Sequence, residues 1–419
     1  MIEIKPHRPK GSIEIPASKS QTIRAFLIAS FAKSESIIRH PLISRDTESA
    51  INACRAMGVK ITFSEDESIA YVDSTKAFEG YESINIDAGN SGTTEYLLLG
   101  LAASIGIPVT ISGDKQLNMR PIGPLGNALR DLGAKISDSE GKPPVTIKGP
   151  LKGGSTVIEC KTSQYLSGLL LAAPLASGDS VIDCSLLYEK PYVRMTLGWL
   201  DDQGIEYSIS EDLEHASVKG NQSYKGFDSY INGDFSSASF FFAAAIIGKS
   251  SVTVRGLDRN DPQGDKAILD ILEQMGAEIT WKGNEVTVKG GDIIKGGEFD
   301  LNMIPDTLPV LAITAAFADG DVHLTNVPQA RIKETDRIAT ICENLRLLGA
   351  DVEEESDGML IHGKGRLRGG KAKGFGDHRI IMALAIAASG SDEPIFIDDI
   401  SAADVTFPTF FTLYDSIRR

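Results

Sequence analysis

The feature that most constrains this fold is a sixfold repeat of about seventy residues. An apolar stretch of three to four helical turns, opened by small polar residues and closed by a turn, occurs six times. The six stretches begin at Ser18, Ser91, Thr162, Ser236, Asp306 and Asp377, so successive starts differ by 73, 71, 74, 70 and 71 residues. Because these stretches are apolar on nearly all sides, we expect buried helices rather than surface helices.

A second set of helices follows the same period. Five amphipathic segments end in a glycine of the kind that follows a helix C-terminus: Gly58, Gly133, Gly204, Gly276 and Gly349. A sixth would be the C-terminal FPTFFTLYDSIRR. Strand-like alternation follows most of these glycines, and residues 277–290 carry a hairpin signal. The pattern predicts six copies of an α/β module in two domains of three, and it argues against a doubly wound sheet.

Charge and composition exclude several classes of protein. The 419 residues carry a formal net charge of −15, which argues against broad contact with nucleic acid or an anionic membrane. The longest apolar stretches, such as residues 97–111, are shorter than a membrane span, and we expect a cytoplasmic protein. The four cysteines form no CxxC pair, so we expect core thiols rather than a zinc site or a disulfide framework.

The starts of the buried helices are candidate anion sites. A helix N-terminus offers unpaired N–H groups and partial positive charge, although Ser, Thr and Asp there are also ordinary N-caps. Cations near these starts favour a functional interpretation, and six are present: Lys19, Arg24, Arg120, Lys333, Arg337 and Arg379. They would suit two phosphorylated or carboxylated ligands, with Asp306 and Glu334 as candidates for proton transfer.

The stretch from Arg331 to Arg337 packs three cations and two carboxylates into seven residues. Lys333 and Arg337 are four residues apart, so on a helix they would share one side, with Glu334 on the neighbouring stripe.

Nine motifs, in order, resemble those of the 5-enolpyruvylshikimate-3-phosphate synthase family: PASKSQTIRAFL, GNSGTTEYL, MRPIGPL, TSQYLSGLL, KPYVRMTL, GDFSSASFF, IPDTLP, RIKETDRI and GDHRIIMAL. The resemblance spans residues 4–417. It implies an α/β (α+β) chain forming a two-domain inside-out α/β barrel, built from six βαβαββ-like repeats, three per domain. One domain would comprise residues 1–13 and 226–419 and the other residues 14–225, with the active site in the interdomain cleft.

The resemblance also implies a reaction. The carboxyvinyl group of phosphoenolpyruvate would pass to the 5-hydroxyl of shikimate 3-phosphate by addition and elimination, a step towards chorismate and the aromatic amino acids. No metal and no organic cofactor would take part, and the two substrates would be the partners of a monomer. An enolpyruvyl transferase of the same family acting on another hydroxylated acceptor is the alternative.

Residue roles follow from the same resemblance. Catalysis would rest on Asp306, Glu334 and Lys19, with Asp306 taking the 5-hydroxyl proton and Glu334 handling the proton at C3. The residues expected to bind shikimate 3-phosphate are Lys19, Ser20, Arg24, Thr162, Ser163, Gln164, Tyr192, Asp306, Gln329 and Lys333. Those expected around phosphoenolpyruvate are Lys19, Asn90, Gly92, Arg120, Gln164, Arg337 and Arg379. Gly92 would make the enzyme a target of glyphosate, competing with phosphoenolpyruvate.

Three positions depart from the family pattern. Glu189 stands where many members have a Ser that contacts the 3-phosphate, Val405 where many have Lys, and Tyr96 where an Arg is frequent. Together they reduce the positive charge around the ligands, which leaves open a shifted phosphate pocket or another acceptor.

Other functions fit less well. The related transferase acting on UDP-N-acetylglucosamine uses a loop cysteine, and no Cys lies between Asp114 and Arg120. RNA 3′-phosphate cyclases contain related modules, but the net charge of −15 disfavours them. A non-catalytic repeat scaffold that binds a small anion and a nucleic-acid clamp are the remaining alternatives. The clamp would need a basic inner surface, and a degenerate paralogue would more readily have lost Asp306, Glu334 or Lys19.

Overall fold

The structure is a computed structural model that describes residues 1–418. The chain forms two compact units. The first unit combines Met1–Ala17 with the chain from Asn232 onward, and the second unit is Ser18–Ile231. The second unit is thus inserted into the first along the chain.

The helices lie where both repeat patterns predict them. In chain order they are α1 Lys19–Phe31, α2 Arg45–Ala56, α3 Gly92–Ala102, α4 Gly123–Asp131, α5 Ser163–Ala172, α6 Lys190–Asp202, α7 Phe235–Ile247, α8 Ile268–Gln274, α9 Leu308–Ala316, α10 Arg337–Leu347, α11 His378–Ala387 and α12 Phe410–Ser416. The odd-numbered helices are the apolar ones, and nearly all of their residues are buried. The five predicted terminal glycines have φ between 67° and 104°, as a left-handed helix end requires.

The strands are short and lie between the helices. They are β1 Ile2–Ile4, β2 Gly11–Glu14, β3 Glu35–Arg39, β4 Lys60–Phe63, β5 Ile69–Asp73, β6 Ile84–Asp87, β7 Val109–Ser112, β8 Lys135–Ser137, β9 Val145–Lys148, β10 Gly154–Cys160, β11 Ser180–Leu187, β12 Tyr207–Ile209, β13 His215–Val218, β14 Asp228–Tyr230, β15 Ser251–Arg255, β16 Glu278–Lys282, β17 Glu285–Lys289, β18 Lys295–Asp300, β19 Asp319–Thr325, β20 Asp351–Glu355, β21 Gly358–Lys364, β22 Gly370–Ala372 and β23 Ile395–Ile397.

The sheets show a βαβαββ repeat. In the order β6-β7-β9-β8, strands β6 and β7 are parallel around α3, and β8 and β9 form an antiparallel hairpin after α4. The sheets β10-β11-β13-β12 and β18-β19-β21-β20 repeat this order. In two further sheets the first strand comes from a distant part of the chain, since β14 pairs with β3 and β2 pairs with β15. The sixth sheet, β1-β23-β22, has three strands. Six α/β repeats, three in each unit, are therefore confirmed.

In each unit the buried helices pack against one another. Helices α1, α3 and α5 form the interior of the second unit, and α7, α9 and α11 that of the first. The backbones of α3 and α5 touch, because a Cβ added to Gly100 would lie 2.1 Å from the carbonyl oxygen of Gly168. The sheets bury one face on these helices by strict alternation, as in Val145–Lys148 and Glu285–Lys289. Each unit is an inside-out arrangement, with helices inside and sheets outside.

The structure bears on two further expectations. The four cysteines are buried and unpaired by disulfides, as core thiols should be, and burial raises the pKa of Cys54 to about 12. Across residues 1–418, no helix combines the length and the apolarity that crossing a membrane demands.

Candidate active site

Six charged side chains of the first unit converge near the starts of α9, α10 and α11. This Asp306 cluster comprises Asp306, Lys333, Glu334, Arg337, Asp377 and Arg379. A 3₁₀ turn at Pro305–Thr307 precedes α9, and Asp336 and Asp377 cap α10 and α11 by accepting backbone N–H bonds. Local helix-start chemistry thus fixes the positions from which the cluster is built.

Arg337 lies at the centre of the Asp306 cluster. Its side chain is 1% exposed. The guanidinium donates to Asp306 Oδ1 at 2.9 Å and to Asp377 Oδ2 at 2.9 Å, and it also donates to Glu334. Burial alone would lower its pKa, but Asp377, Glu334 and Asp306 together raise the pKa above the usual value. Arg337 is a permanent cation that orients three carboxylates.

Asp306 is surrounded by cations. Its Oδ2 accepts from Arg379 Nη2 at 2.9 Å, and Lys333 Nζ lies 3.9 Å from Oδ1. Burial opposes ionisation, yet Arg379, Lys333 and Arg337 outweigh it and hold the pKa of Asp306 well below the usual range. Asp306 is therefore an ionised carboxylate at neutral pH, and its power as a base comes from position rather than from basicity.

Two titratable neighbours of the cluster have shifted pKa values. Burial lowers the pKa of His378 to about 3, so its imidazole is neutral. Burial and the charge of Asp306 raise the pKa of Asp265 to about 6. Sequence reasoning missed Asp265, which follows no recognisable motif.

The expectation that Lys333 and Arg337 share one side of a helix is wrong. Asp336 Oδ1 accepts from the backbone N–H of Ala339 at 3.0 Å, so α10 begins at Arg337. Residues Pro328–Ile332 form a 3₁₀ turn, and Lys333 and Glu334 follow it outside the helix. The loop still brings Lys333 to Asp306. Gln329, in the turn, is 1% exposed and donates to the carbonyl of Asn302 at 3.0 Å.

The second unit holds its own polar cluster at the starts of α1, α3, α5 and α6. Lys19 opens α1 and donates to Asp46 Oδ2 at 3.0 Å. Arg24 is 1% exposed and donates to Thr196 Oγ1 at 2.9 Å and to the carbonyls of Ser20 and Tyr192 at 3.0 and 3.2 Å. Burial lowers the pKa of Arg24 to about 10, which still leaves it charged at neutral pH. Arg24 therefore ties α1 to α6.

The start of α5 forms what we call the Thr162 cradle, made of Thr162 and Ser163. Both hydroxyls and the backbone N–H of Ser163 donate to one oxygen of Glu189, at 3.2, 2.9 and 3.2 Å. Glu189 precedes α6 and is 1% exposed. This departure from the family pattern thus places a buried carboxylate on three donors of Thr162 and Ser163. The resemblance assigns both residues to shikimate 3-phosphate.

Gly92 and Arg120 lie together at the start of α3. A Cβ added to Gly92 would lie 2.5 Å from Arg120 Nη1, so this glycine makes room for the guanidinium. Gln164 Nε2 donates to Thr93 Oγ1 at 3.1 Å, which joins the starts of α3 and α5. Asn90, in the preceding loop, donates to Asp114 at 2.6 Å and to Gln116 at 2.9 Å. The structure brings Gly92, Thr93, Arg120 and Gln164 into one neighbourhood.

Two acidic residues of this unit were not anticipated. Asp46 is the partner of Lys19, and Glu95 lies in the first turn of α3. Glu95 is 0% exposed, and within residues 1–418 neither of its oxygens has a hydrogen-bond partner. Burial raises its pKa to about 8, against the opposing charge of Arg120. Glu95 could have been noticed in the sequence as the single acid of an otherwise apolar helix.

The other two departures are Tyr96 and Val405. Tyr96 is 5% exposed and packs edge-on against Tyr165, with ring centroids 5.3 Å apart. Val405 is half-buried in a 3₁₀ turn at Ser401–Val405. Tyr96 is therefore a core residue in this chain.

Comparison with known proteins gives a consistent result. The model of the EPSP synthase (3-phosphoshikimate 1-carboxyvinyltransferase) family matches residues 4–413. A 3-phosphoshikimate 1-carboxyvinyltransferase of Acetivibrio thermocellus is 44% identical over 417 residues, 98% of this chain and 96% of that protein. The one from Ruminiclostridium cellulolyticum is 45% identical over 402 residues, 96% of this chain and 94% of that protein. A solved EPSP synthase structure from Acinetobacter baumannii has a TM-score of 0.84 at 27% identity, and the match covers 99% of this chain and 98% of that one.

Proposed function

Because this chain belongs to the EPSP synthase family, the 3-phosphoshikimate 1-carboxyvinyltransferases, we propose that its two polar clusters bind the substrates and carry the proton transfers of that reaction. The enzyme transfers the enolpyruvyl group of phosphoenolpyruvate to the 5-hydroxyl of shikimate 3-phosphate and releases phosphate, in the shikimate route to aromatic amino acids. The observation that carries the residue assignment is the convergence of Lys333, Arg337 and Arg379 on Asp306.

The site residues are assigned to the two substrates, with Lys19 and Gln164 serving both. We assign to shikimate 3-phosphate the residues Lys19, Ser20, Arg24, Thr162, Ser163, Gln164, Tyr192, Asp306, Gln329 and Lys333. We assign to phosphoenolpyruvate the residues Lys19, Asn90, Gly92, Arg120, Gln164, Arg337 and Arg379. Support comes from the buried arginines, which are positioned by several acceptors each, and from the donors at the start of α5.

The proton transfers are assigned to Asp306 and Glu334, two of the three carboxylates that accept from Arg337. In the addition step the 5-oxygen bonds to C2 of phosphoenolpyruvate, its proton leaves to Asp306, and C3 gains a proton from Glu334. In the elimination step the C2–O bond to phosphate breaks and the C3 proton returns to Glu334. Asp306 is a weak base among its cations, so we assign it a positional role in taking the 5-hydroxyl proton.

We also propose that the enzyme is a cytoplasmic monomer. Both substrates are small phosphorylated anions, and the reaction is a biosynthetic step. The net charge of −15 disfavours assembly on nucleic acid or on an anionic membrane.

The test is phosphate release by the purified chain given phosphoenolpyruvate and shikimate 3-phosphate. We expect turnover that needs both substrates and that falls at least about 100-fold in Lys19→Met and Asp306→Ala. Asp319→Ala removes an exposed carboxylate at the start of β19 of the same unit and is the matched control. Phosphoenolpyruvate binding without turnover would contradict the acceptor and favour a transferase for another hydroxylated compound, a possibility raised by the carboxylate of Glu189 in the Thr162 cradle.

A further inference from the structure

Glu189 occupies the donors of the Thr162 cradle as an anionic ligand would. One carboxylate oxygen accepts from the Thr162 hydroxyl, the Ser163 hydroxyl and the Ser163 backbone N–H, at 3.2, 2.9 and 3.2 Å. The last of these is an N-terminal N–H of α5, a ten-residue helix, so its dipole also favours the charge. Two hydroxyls and a helix-start N–H are the donor set that oxyanions take in proteins.

The backbone at Glu189 is held in place, which fixes the position of its Cα and Cβ. Glu189 has φ 57° and ψ 39°, a left-handed conformation that side chains other than Gly, Asn and Asp rarely adopt. Its carbonyl accepts from the N–H of Tyr192 at 3.1 Å, and the N–H of Tyr188 is bonded to the Cys160 carbonyl at 3.2 Å. Because the carbonyl of the strained residue and the N–H of the residue before it are both hydrogen-bonded, rotation of the Glu189 side chain moves its carboxylate with the least disturbance of α6.

The same three donors cannot serve two anions. Each hydroxyl has one proton to give and the N–H has one, and all three point at Glu189. A phosphate oxygen at this place would lie within hydrogen-bond distance of a second anion, which Coulomb repulsion in a buried setting strongly disfavours.

From these contacts, and resting on the function proposed above, we propose that Glu189 is a specificity-determining residue of the acceptor subsite. Its carboxylate is an internal anion that the 3-phosphate of the acceptor must displace from Thr162 and Ser163. The displacement weakens binding of the phosphorylated acceptor and leaves binding of phosphoenolpyruvate unchanged, because Glu189 engages donors at the start of α5 whereas Gly92 and Arg120 lie together at the start of α3. A serine at this position would be short and neutral, and the cradle donors would then be open to phosphate.

The kinetic test uses Glu189→Ser and the isosteric Glu189→Gln. Glu214→Gln is the matched control, since Glu214 pairs with the adjacent Lys190 at 3.0 Å and is not assigned to any substrate. We expect Glu189→Ser to lower KM for shikimate 3-phosphate roughly tenfold, with KM for phosphoenolpyruvate and kcat within about twofold. Glu189→Gln should change KM in the same direction and keep the packing, so it serves if the serine variant folds poorly. An unchanged or raised KM for shikimate 3-phosphate in both variants would overturn the proposal.

A binding test separates this proposal from the proposed function. Inorganic phosphate is titrated into the unmodified chain and the three variants, followed by calorimetry. We expect phosphate to bind at least about tenfold tighter to Glu189→Ser than to the unmodified chain or Glu214→Gln. Equal affinity in all four proteins would refute displacement. Failure of the unmodified chain to turn over shikimate 3-phosphate would count against the proposed function, and the phosphate titration would still decide the role of Glu189.

Discussion

Replacing Glu95 with glutamine should remove a large pH dependence from the stability of the second unit. Glu95 is 0% exposed and, within the described chain, has no hydrogen-bond partner for either oxygen. Burial raises its pKa from 4.5 to about 8. Between these two pH values the folded unit holds a proton that the unfolded chain has released, so stability falls as the pH rises.

The size of the effect follows from this window. Between the unfolded and folded pKa values of Glu95, each pH unit lowers the free energy of unfolding by about 1.4 kcal/mol. The total loss from below pH 4.5 up to pH 8 is about 5 kcal/mol. Glutamine has nearly the same shape and no proton to lose. Between pH 5 and pH 8 the free energy of unfolding of the unmodified chain should therefore fall by about 4 kcal/mol relative to that of Glu95→Gln.

The measurement is urea unfolding at unit steps of pH from 5 to 8. The chain has two tryptophans, of which Trp199 lies in the same unit as Glu95 and Trp281 in the other, so a Trp281→Phe background makes fluorescence report on the relevant unit. Glu82→Gln, at an exposed site of that unit, is the control and should leave the pH profile unchanged. Parallel profiles for the unmodified chain and Glu95→Gln would refute the reasoning, because they would show that Glu95 is not a buried neutral acid at acidic pH.

Two further predictions concern glycines. Gly92→Ala places a Cβ 2.5 Å from Arg120 Nη1, so the guanidinium must move. We expect KM for phosphoenolpyruvate to rise roughly tenfold and competitive inhibition by glyphosate to weaken by at least as much, with KM for shikimate 3-phosphate unchanged; equal inhibition of both enzymes would contradict this account. Gly100→Ala places a Cβ 2.1 Å from the Gly168 carbonyl oxygen and should lower the free energy of unfolding by about 2–3 kcal/mol in urea titrations. Gly198→Ala, also in a helix but with open space around the new methyl group, should instead raise it by about 0.5–1 kcal/mol, and equal effects would count against close packing of α3 and α5.

The sequence predicted the helices well because their signals are local. The start of α5, for example, carries a capping threonine whose hydroxyl accepts from the Gln164 N–H, and the turn after α4 carries a left-handed glycine, Gly133. All-round apolar composition then identified the helices that lie inside each unit. The pairing of β14 with β3 joins residues about 190 apart, and no local pattern specifies it.

Side-chain placement within the site was less predictable. The spacing of Lys333 and Arg337 suggested a shared helix face, but the capping bond of Asp336 starts the helix four residues later than that interpretation needs. Asp46 was recognised as a neighbour of the site only in the structure, because a tertiary contact brings it to Lys19, 27 residues away in the sequence. Spacing reports neighbours along an element, whereas these contacts depend on where loops and separate helices meet.

In each polar cluster a carboxylate of the chain already engages donors that we assign to a substrate anion. Lys19 donates to Asp46, the Thr162 cradle donates to Glu189, and Arg337 donates to Asp306. A buried cation or helix start without a partner is costly, so a protein that gathers so many donors must balance them internally. Substrate binding is then an exchange of one anion for another, and its net free energy is smaller than the number of contacts suggests. Glu189 differs from Asp306 in this exchange. The proposed reaction gives Asp306 a proton to accept from the 5-hydroxyl, whereas it gives Glu189 no proton to transfer.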